Sequence, residues 1–300
     1  MEARRLSALF LTLLAAALLT AACGDDENDS GGASGSSSTA ASDTPAPLKA
    51  GGDFLFCTDV PYPPAESQVG SDFEGYEIDI AREVSDRIGV EAQFQKTGFD
   101  GIIGALNAKQ CDGIISSMNS TDERKKEVNF VDYMEVGQSL LVPADDADEV
   151  TDLTDLGGQT VAVQTGTTLG DAIKAANEDI EGEKISLKSF PSAQDAVSAL
   201  SADQVDAFFT DSPVAADYVN KQPDAFAFGG EPVDPLPVGI ALRKSDTDLR
   251  DAVQDAVDAM YEDGTMKKLL DKWKVADFML ESGSSGDEDA GPEGTSTTEG

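Results

Sequence analysis

The residues of this chain that could do chemistry are one arginine, one aspartate, a polar turn and two aromatic side chains. Arg124 carries a planar guanidinium whose donors are spaced to grip a carboxylate. The Thr-Gly-Thr-Thr turn at 165–168 opens a predicted helix, whose free N–H groups attract an anion. Asp211 can accept hydrogen bonds from an ammonium group, and Tyr62 and Phe99 can form flat apolar walls. A carboxylate site, an ammonium site and two walls together indicate a binding site for an α-amino acid.

The composition of the chain excludes several classes of function. Its 300 residues include 57 acidic and 21 basic side chains and no histidine, so the formal net charge is -36. A surface this acidic repels phosphates, so we expect no binding to nucleic acid. Without imidazole there can be no Ser-His-Asp triad, no Cys-His pair and no His-ligated zinc. We predict a protein that is not an enzyme and has neither a cofactor nor a metal site.

The scaffold for these residues is predicted from strands and helices that alternate over about 51–280. The strands are predicted at 53–58, 91–94, 113–115, 138–142, 160–164, 206–209 and 238–242, and the helices at 80–88, from Ile102, and at 168–177, 193–200, 249–260 and 266–273. Such alternation predicts an α/β fold of parallel sheets covered by helices. Ligands bind such sheets at the carboxyl ends of the strands, and Asp59, Ser117, Gln164 and Asp211 follow predicted strands.

The two ends of the chain differ from this central part. Residues 1–22 have two arginines and then an apolar run, which is typical of an export signal. Small residues precede Cys23 and resemble a lipobox, which predicts a lipid-modified N-terminus; ordinary secretion is the alternative. Residues 23–50 predict a flexible, acidic, Gly/Ser-rich tether, and 281–300 predict a disordered acidic tail.

Several short segments, in order along the chain, are similar to one protein family. They are Gly-Tyr-Glu-Ile-Asp-Ile at 75–80, Phe-Asp-Gly-Ile-Ile at 99–103, Thr-Asp-Glu-Arg-Lys at 121–125, Val-Gln-Thr-Gly-Thr-Thr at 163–168, and Asp206 and Ala207 with Asp211. Each segment alone is weak evidence for a family, but the occurrence of all of them in this order over about 51–275 is specific to one family. Together they resemble the amino-acid-binding family of bacterial extracellular solute-binding proteins, the external receptors of ABC importers.

This resemblance implies a two-lobed fold of the type II periplasmic-binding-protein kind. Each lobe would be a mostly parallel sheet flanked by helices, with two hinge strands between the lobes. Lobe 1 would hold 51–138 and 238–280, and lobe 2 would hold 142–232, with hinges near 138–141 and 236–239. Closure of the lobes would trap one free amino acid, and the closed monomer would deliver it to an ABC permease at the outer face of the cell membrane.

The resemblance also implies roles for the polar residues at the main-chain end of a bound amino acid. Arg124 would grip the ligand carboxylate, assisted by Asn119 and by the N–H of Thr168. The backbone carbonyl of Ser117 and the carboxylate of Asp211 would accept from the α-ammonium. In the family the position of Asn119 usually holds Thr or Ser, so this chain departs from the pattern there.

Other residues would contact the ligand's side chain. The resemblance places Tyr62 and Phe99 as the aromatic walls around its aliphatic stem, and Asp59, Gln164 and Thr210 where its tip is read. An acidic amino acid would need a second cation there, and the matching positions supply none. We therefore predict a polar neutral or a basic amino acid.

Several alternatives stay open from the sequence alone. A few proteins of this fold are dehydratases, and a cleft enzyme here would have to use acids such as Asp59, Glu66 or Asp211. A receptor that senses its ligand and signals to a partner has the same sequence features. Among single residues, Phe99 could belong to the core, and Asp59 could cap a strand end.

The pairing of Cys57 with Cys111 is also left open. Export favours a disulfide. Against it, Cys57 lies near the exit of the first strand and Cys111 near the entry of the third. In parallel neighbours that offset would exceed the limit of about 7 Å between Cα atoms.

Overall fold

The structure is a computed structural model that describes Leu48 and residues 52–278. The predicted export signal, Cys23 and the acidic tail lie outside the described residues, as does the tether apart from Leu48. Within 52–278, no helix is both long and apolar enough to cross a bilayer.

The described chain alternates strands and helices. The strands are β1 (Asp53–Thr58), β2 (Ser67–Val69), β3 (Asp72–Glu74), β4 (Glu91–Lys96), β5 (Gly113–Ile114), β6 (Val128–Pro143), β7 (Thr160–Gln164), β8 (Ser186–Phe190), β9 (Ala207–Asp211), β10 (Phe226–Phe228) and β11 (Val233–Arg243). The helices are α1 (Tyr76–Arg87), α2 (Ile102–Asn107), α3 (Asp122–Glu127), α4 (Leu169–Asp179), α5 (Ala193–Ser201), α6 (Ser212–Lys221), α7 (Thr247–Glu262) and α8 (Thr265–Trp273).

One large mixed sheet connects the two lobes. Its strand order is β4-β1-β5-β11-β6-β9-β7-β8, and β10 pairs with β6. Strand β1 pairs in parallel with β4 and β5 on one side, and β7 pairs in parallel with β8 and β9 on the other. Between them β6 and β11 run antiparallel to each other, with register shifts near Leu236 and Gly239. The predicted two-lobed α/β fold is confirmed, whereas the residue boundaries of the lobes and the hinges stay predictions.

Local sequence signals explain several of these elements. Ser192 precedes α5, accepts from the Asp195 N–H at 3.2 Å and donates to its carboxylate at 2.7 Å, which is a variant of a capping box. Helix α1 buries Ile80 and Val84 on one face, as their spacing indicates. Trp273 is packed against the largest core cluster and also donates to Asp79 at 2.7 Å.

Three of the longer elements were not predicted from the sequence. Helix α3 is six residues of charge, and strand β8 lies at the edge of the sheet with all of its residues exposed or half-buried, so neither has an apolar pattern. Helix α6 buries Val214, Ala215 and Tyr218 on one face, but it starts directly after β9, so no loop separates the two elements.

Cys57 and Cys111 form a disulfide, with 5.7 Å between their Cα atoms. The expectation that strand offset separates them too far is therefore wrong. Strand β5 pairs with β1 only at Gly113 and Ile114, and residues 111–112 before it lie outside any strand. The Asp112 N–H donates to the Leu55 carbonyl at 2.7 Å, which holds this segment against β1. Cys111 is therefore within reach of Cys57.

Candidate ligand-binding cleft

A small cleft lies between the two lobes, at the carboxyl ends of strands from both. It contains about 330 Å³ of empty space, part of which is open to solvent. The lining residues are Asp59, Tyr62, Glu66, Phe99, Ser116, Ser117, Asn119, Gln164, Thr167, Leu169 and Asp211. Acidic, neutral polar and aromatic side chains thus meet in one small space.

Five hydrogen bonds join the two walls of the cleft. Four run from Tyr62 Oη to Asp211 Oδ2 at 2.8 Å, from Gln164 Nε2 to Asp59 Oδ2 at 2.5 Å, from Thr168 Oγ1 to Asn119 Oδ1 at 3.2 Å, and from Arg124 Nη2 to the Gly166 carbonyl at 3.0 Å. The fifth joins the hydroxyl groups of Tyr62 and Thr210 at 3.3 Å. Each bond joins a residue that follows β1 or β5 to a residue that ends or follows β7 or lies at the end of β9. The described structure is therefore a closed arrangement of the cleft.

Arg124 is held in place by backbone carbonyls and an aromatic ring. It lies in the first turn of α3, where Thr121 caps its N–H at 3.3 Å. Its guanidinium donates to the Asn119 carbonyl at 3.0 Å and lies 5.4 Å from the centre of the Phe99 ring. Burial lowers the pKa of Arg124, and the Asp211 carboxylate opposes that shift. The guanidinium group is thus fixed at the rim of the cleft, and Arg124 is not among the lining residues.

The turn before α4 brings backbone close to the opposite wall. Gly166 has a φ of 84°, and a Cβ there would lie 3.0 Å from the Asp100 Cα. Glycine is required because of both the positive φ and this close approach. The Thr168 side chain bonds to Asn119 and does not cap the helix. The first N–H groups of α4 therefore face this region without a side-chain cap.

Asp211 ends β9 at the floor of the cleft. Burial raises its pKa to about 7, and the nearby Glu77 adds to the rise. The hydrogen bond from Tyr62 and the charge of Arg124 act in the opposite direction. An ammonium group beside Asp211 would favour the ionised form, because an opposite charge stabilises a buried carboxylate.

The other end of the cleft is formed by polar groups after β1 and β5. Asp59 accepts from Gln164, and its own N–H donates to Ser116 Oγ at 3.1 Å. Burial raises the pKa of Asp59, and the Gln164 bond and the charge of Lys96 oppose the rise. Ser117 has a φ of 43°, a conformation that non-glycine residues adopt mostly at functional or strained positions.

The structure brings together most of the residues singled out from the sequence. Of the nine predicted ligand contacts, seven line the cleft, while Arg124 and Thr168 stand at its rim. Sequence reasoning did not place Glu66, Ser116, Thr167 and Leu169 in the binding site. Glu66 was considered only as an acid for a cleft enzyme. Ser116 and Thr167 are adjacent in sequence to predicted contacts, and this adjacency could have identified them. No group of three or more His, Cys, Asp or Glu side chains within 52–278 could hold a metal ion.

Comparisons with known proteins identify what this arrangement is similar to. The model of "Bacterial extracellular solute-binding proteins, family 3" matches residues 54–276. The L-cystine-binding protein TcyJ of Escherichia coli (strain K12) is 31% identical over 233 residues, which are 77% of this chain and 85% of the relative. The histidine-binding periplasmic protein of Salmonella typhimurium (strain LT2) is 34% identical over 224 residues, 72% of this chain and 85% of the relative.

A solved structure extends the similarity to three dimensions. It is an ancestral arginine-binding protein bound to arginine, which superposes with a TM-score of 0.69 at 33% sequence identity. The match covers 74% of this chain and 97% of that protein. Nearly the whole of the solved protein thus has a counterpart in the described part of this chain.

Proposed function

This chain belongs to family 3 of the bacterial extracellular solute-binding proteins, and we propose that it captures a free amino acid outside the cytoplasm and hands it, unchanged, to an ABC permease. The observation that carries the proposal is the closed cleft itself. A guanidinium at its rim and a buried carboxylate at its floor face one small volume from opposite lobes. That pairing complements the two charged groups that every α-amino acid has.

The mechanism is closure of the two lobes on the ligand. Arg124, with the uncapped N-terminus of α4, would bind the carboxylate, and Asp211 with the Ser117 carbonyl would bind the ammonium. Because these groups come from different lobes, a ligand binds them all only in the closed form. Its affinity for the closed form over the open one therefore drives closure. The hinges would lie in β6 and β11, near 138–141 and 236–239.

The ligand is a polar neutral or a basic amino acid. Asp59, Gln164 and Glu66 face the far end of the cleft, and among the described residues no lysine or arginine forms an ion pair with Asp59 or Glu66. An acidic side chain would add a negative charge to this end without a partner, which is costly in a buried site. The relatives named for cystine, histidine and arginine fit this class.

The protein is anchored outside the cell membrane through Cys23. Cleavage after residue 22 would leave this cysteine at the N-terminus for lipid attachment, and the tether would let the lobes move freely above the membrane. Fractionation of cells that express the full chain tests this. The wild type should partition with membranes, and Cys23→Ser should not; equal partition of both would remove the anchor.

Isothermal titration against the twenty amino acids, ornithine and cystine tests the binding function. We expect tight binding of one or a few polar neutral or basic members, and Arg124→Ala should weaken it by at least about 30-fold, because it leaves a buried carboxylate unpaired. Arg250→Ala is the matched control, since Arg250 lies on α7 and bonds only its neighbour Asp251. Tight binding of glutamate or aspartate would overturn the ligand class, and equal affinities of both variants would overturn the site.

A further inference from the structure

Two buried glutamates lie beneath the far end of the cleft. Glu66 follows the Pro-rich loop after β1, and Glu77 lies in the first turn of α1. Both residues have 0% of their surface exposed, and they accept hydrogen bonds from two successive serines, Ser116 and Ser117. Only Glu66 reaches the lining of the cleft. The predicted amino-acid contacts make no use of this pair.

If both glutamates are ionised, each has one buried carboxylate oxygen without a hydrogen-bond donor. Glu77 Oε1 accepts from the Ser117 N–H at 2.6 Å, from Ser117 Oγ at 3.0 Å and from the Tyr133 hydroxyl. Glu66 Oε1 accepts from Ser116 Oγ at 2.6 Å. The Oε2 atoms of both glutamates are buried and have no donor. A single proton on one carboxyl group would supply the missing donor, whereas two adjacent buried carboxylates would repel each other.

The surroundings indicate which glutamate carries the proton. Glu77 has three donors on one oxygen. Glu66 has one donor, and burial followed by the charge of Glu77 raises its pKa well above the usual value. The other titratable groups that act on the pair or its bonded tyrosines are Asp59, Asp211, Tyr76 and Tyr133, all acids. The nearby cations act elsewhere, Lys96 on Asp59 and Arg124 on Asp211.

We propose that Glu66 and Glu77 share one proton in the empty protein, and that a cationic ligand side chain displaces this proton from Glu66. This inference rests on the proposed function. Loss or retention of the proton lets one site accept both basic and neutral amino acids. The O–H bond of the Glu66 carboxyl group breaks, its proton passes to water, and the ligand's cation keeps its own protons. The charge of this end of the cleft is then the same before and after binding. A neutral ligand leaves the proton in place and meets a Glu66 carboxyl group without a charge.

Affinity for a basic ligand should consequently depend on pH. Below the pKa of Glu66 in the empty protein, binding must expel a proton, so arginine should bind up to about tenfold more tightly for each unit of rising pH. Above that pKa the dependence on pH from this residue ends. A neutral ligand such as glutamine lacks this contribution, so the ratio of the two affinities isolates it.

Infrared spectroscopy of the ligand-free protein tests the shared proton by itself. The spectra are taken in the Asp211→Asn background, because Asp211 is itself partly protonated near pH 7 and would give a band of its own. In that background at neutral pH, a carbonyl band of a protonated carboxyl group should be present with Glu66 intact and lost on Glu66→Gln. It should also be lost on Glu77→Gln, because the new amide donates to Glu66 and removes the neighbouring charge. A band of unchanged intensity in the double variant Asp211→Asn, Glu66→Gln would overturn the shared proton.

Calorimetry tests the displacement. Titrations in buffers of different ionisation enthalpy count the protons released, and arginine should release about one more than glutamine. The comparison is needed because the α-ammonium of either ligand draws a proton from Asp211. Glu77→Gln should bind arginine with this excess lost, and Arg250→Ala on α7 should keep the excess.

The outcomes separate the inference from the function on which it rests. Equal proton release for arginine and glutamine, or no binding of basic amino acids, would overturn the displacement and leave amino-acid capture standing. Failure to bind any amino acid would overturn both the function and the displacement, and the infrared band would then decide the shared proton alone.

Discussion

The two ends of the cleft hold their charged groups in different ways. At the main-chain end, defined by Arg124, Thr168 and Asp211, a cation donates to backbone carbonyls and an acid accepts from a tyrosine. At the side-chain end, defined by Asp59, Gln164 and Glu66, acids lie beside other acids and neutral donors. The first end has both signs of charge, whereas the groups that line the second are acidic or neutral, and Lys96 acts on Asp59 from outside the lining.

This difference separates general recognition from selection. A site with both charges fits the group that all amino acids share, and its fixed backbone partners leave little freedom to discriminate. A site with one sign of charge and a titratable acid rejects acidic side chains and accepts neutral or cationic ones. The following predictions test whether the two ends are in fact separate, in order of decreasing expected effect.

The largest expected effect is on stability, and it arises from Asp211 at the main-chain end. Its pKa of about 7 lies above the ordinary value of 3.8, so between these values the folded state binds more protons than the unfolded state. The stabilisation is complete below about pH 4 and is lost as the pH rises through about 7, by up to about 4 kcal/mol. Denaturant unfolding of the ligand-free protein across this range measures it.

Asp211→Asn resembles the protonated form at every pH, so it should be at least as stable as the wild type near neutral pH while losing ligand affinity. The measurement plots the free energy of unfolding against pH, and the slope for the wild type is subtracted from the slope for the variant. This subtraction removes the contribution of the many surface acids, which titrate in both proteins. Glu66→Gln removes the contribution of the side-chain end in the same way. If the free energy of unfolding depends on pH equally in the wild type and in Asp211→Asn, the Asp211 carboxyl group does not titrate in this range.

The second expected effect concerns the disulfide that supports the side-chain end. Cys57 lies in β1, two residues before Asp59, and its bond to Cys111 fixes the end of that strand. Replacing both cysteines by serine should lower the free energy of unfolding by about 2–4 kcal/mol, as should reduction of the wild type. Urea unfolding measures the loss, after mass spectrometry of the oxidised protein. A bond that is present but contributes nothing would contradict the prediction.

The sequence predicted the two ends unequally well. Asp59, Gln164 and Asp211 were found because each follows or ends a predicted strand, and that position alone places a side chain at the edge of the sheet. Glu66 follows a short loop with no such rule, and its burial depends on α1 and β5 packing above it. Nothing in one sequence shows that an acid will be buried against another acid.

The disulfide was left open from the sequence for a similar reason. The argument from strand offset treated residues 111–112 as an extension of β5, whereas they lie outside any strand. Short strands such as Gly113–Ile114 do not constrain the chain before them. Pairing and fold class follow from local patterns, but the path of a loop follows from packing.

The third prediction tests contact between the walls at the main-chain end. In Gly166→Ala the new Cβ would lie 3.0 Å from the backbone of Asp100 on the other wall. This overpacking acts only in the closed form, so ligand affinity should fall by about 2 kcal/mol, or roughly 30-fold, for all ligands alike. Gly70→Ala is the matched control, because Gly70 has a φ of 65° but no atom within 4 Å of the new Cβ. Unequal losses for arginine and glutamine in Gly166→Ala would mean that the two ends are not separate.

The smallest expected effect arises from Asp59, and it is the most direct test of the comparison. Asp59→Asn keeps an oxygen to accept from Gln164 but removes the charge, so a basic ligand should lose about 1.5 kcal/mol, or roughly tenfold in affinity. A neutral ligand should lose much less, because it never paired with that charge. Titration of arginine and glutamine against the variant measures the difference. If both ligands lose affinity equally, Asp59 acts on closure rather than on selection, and the side-chain end depends on Glu66 alone.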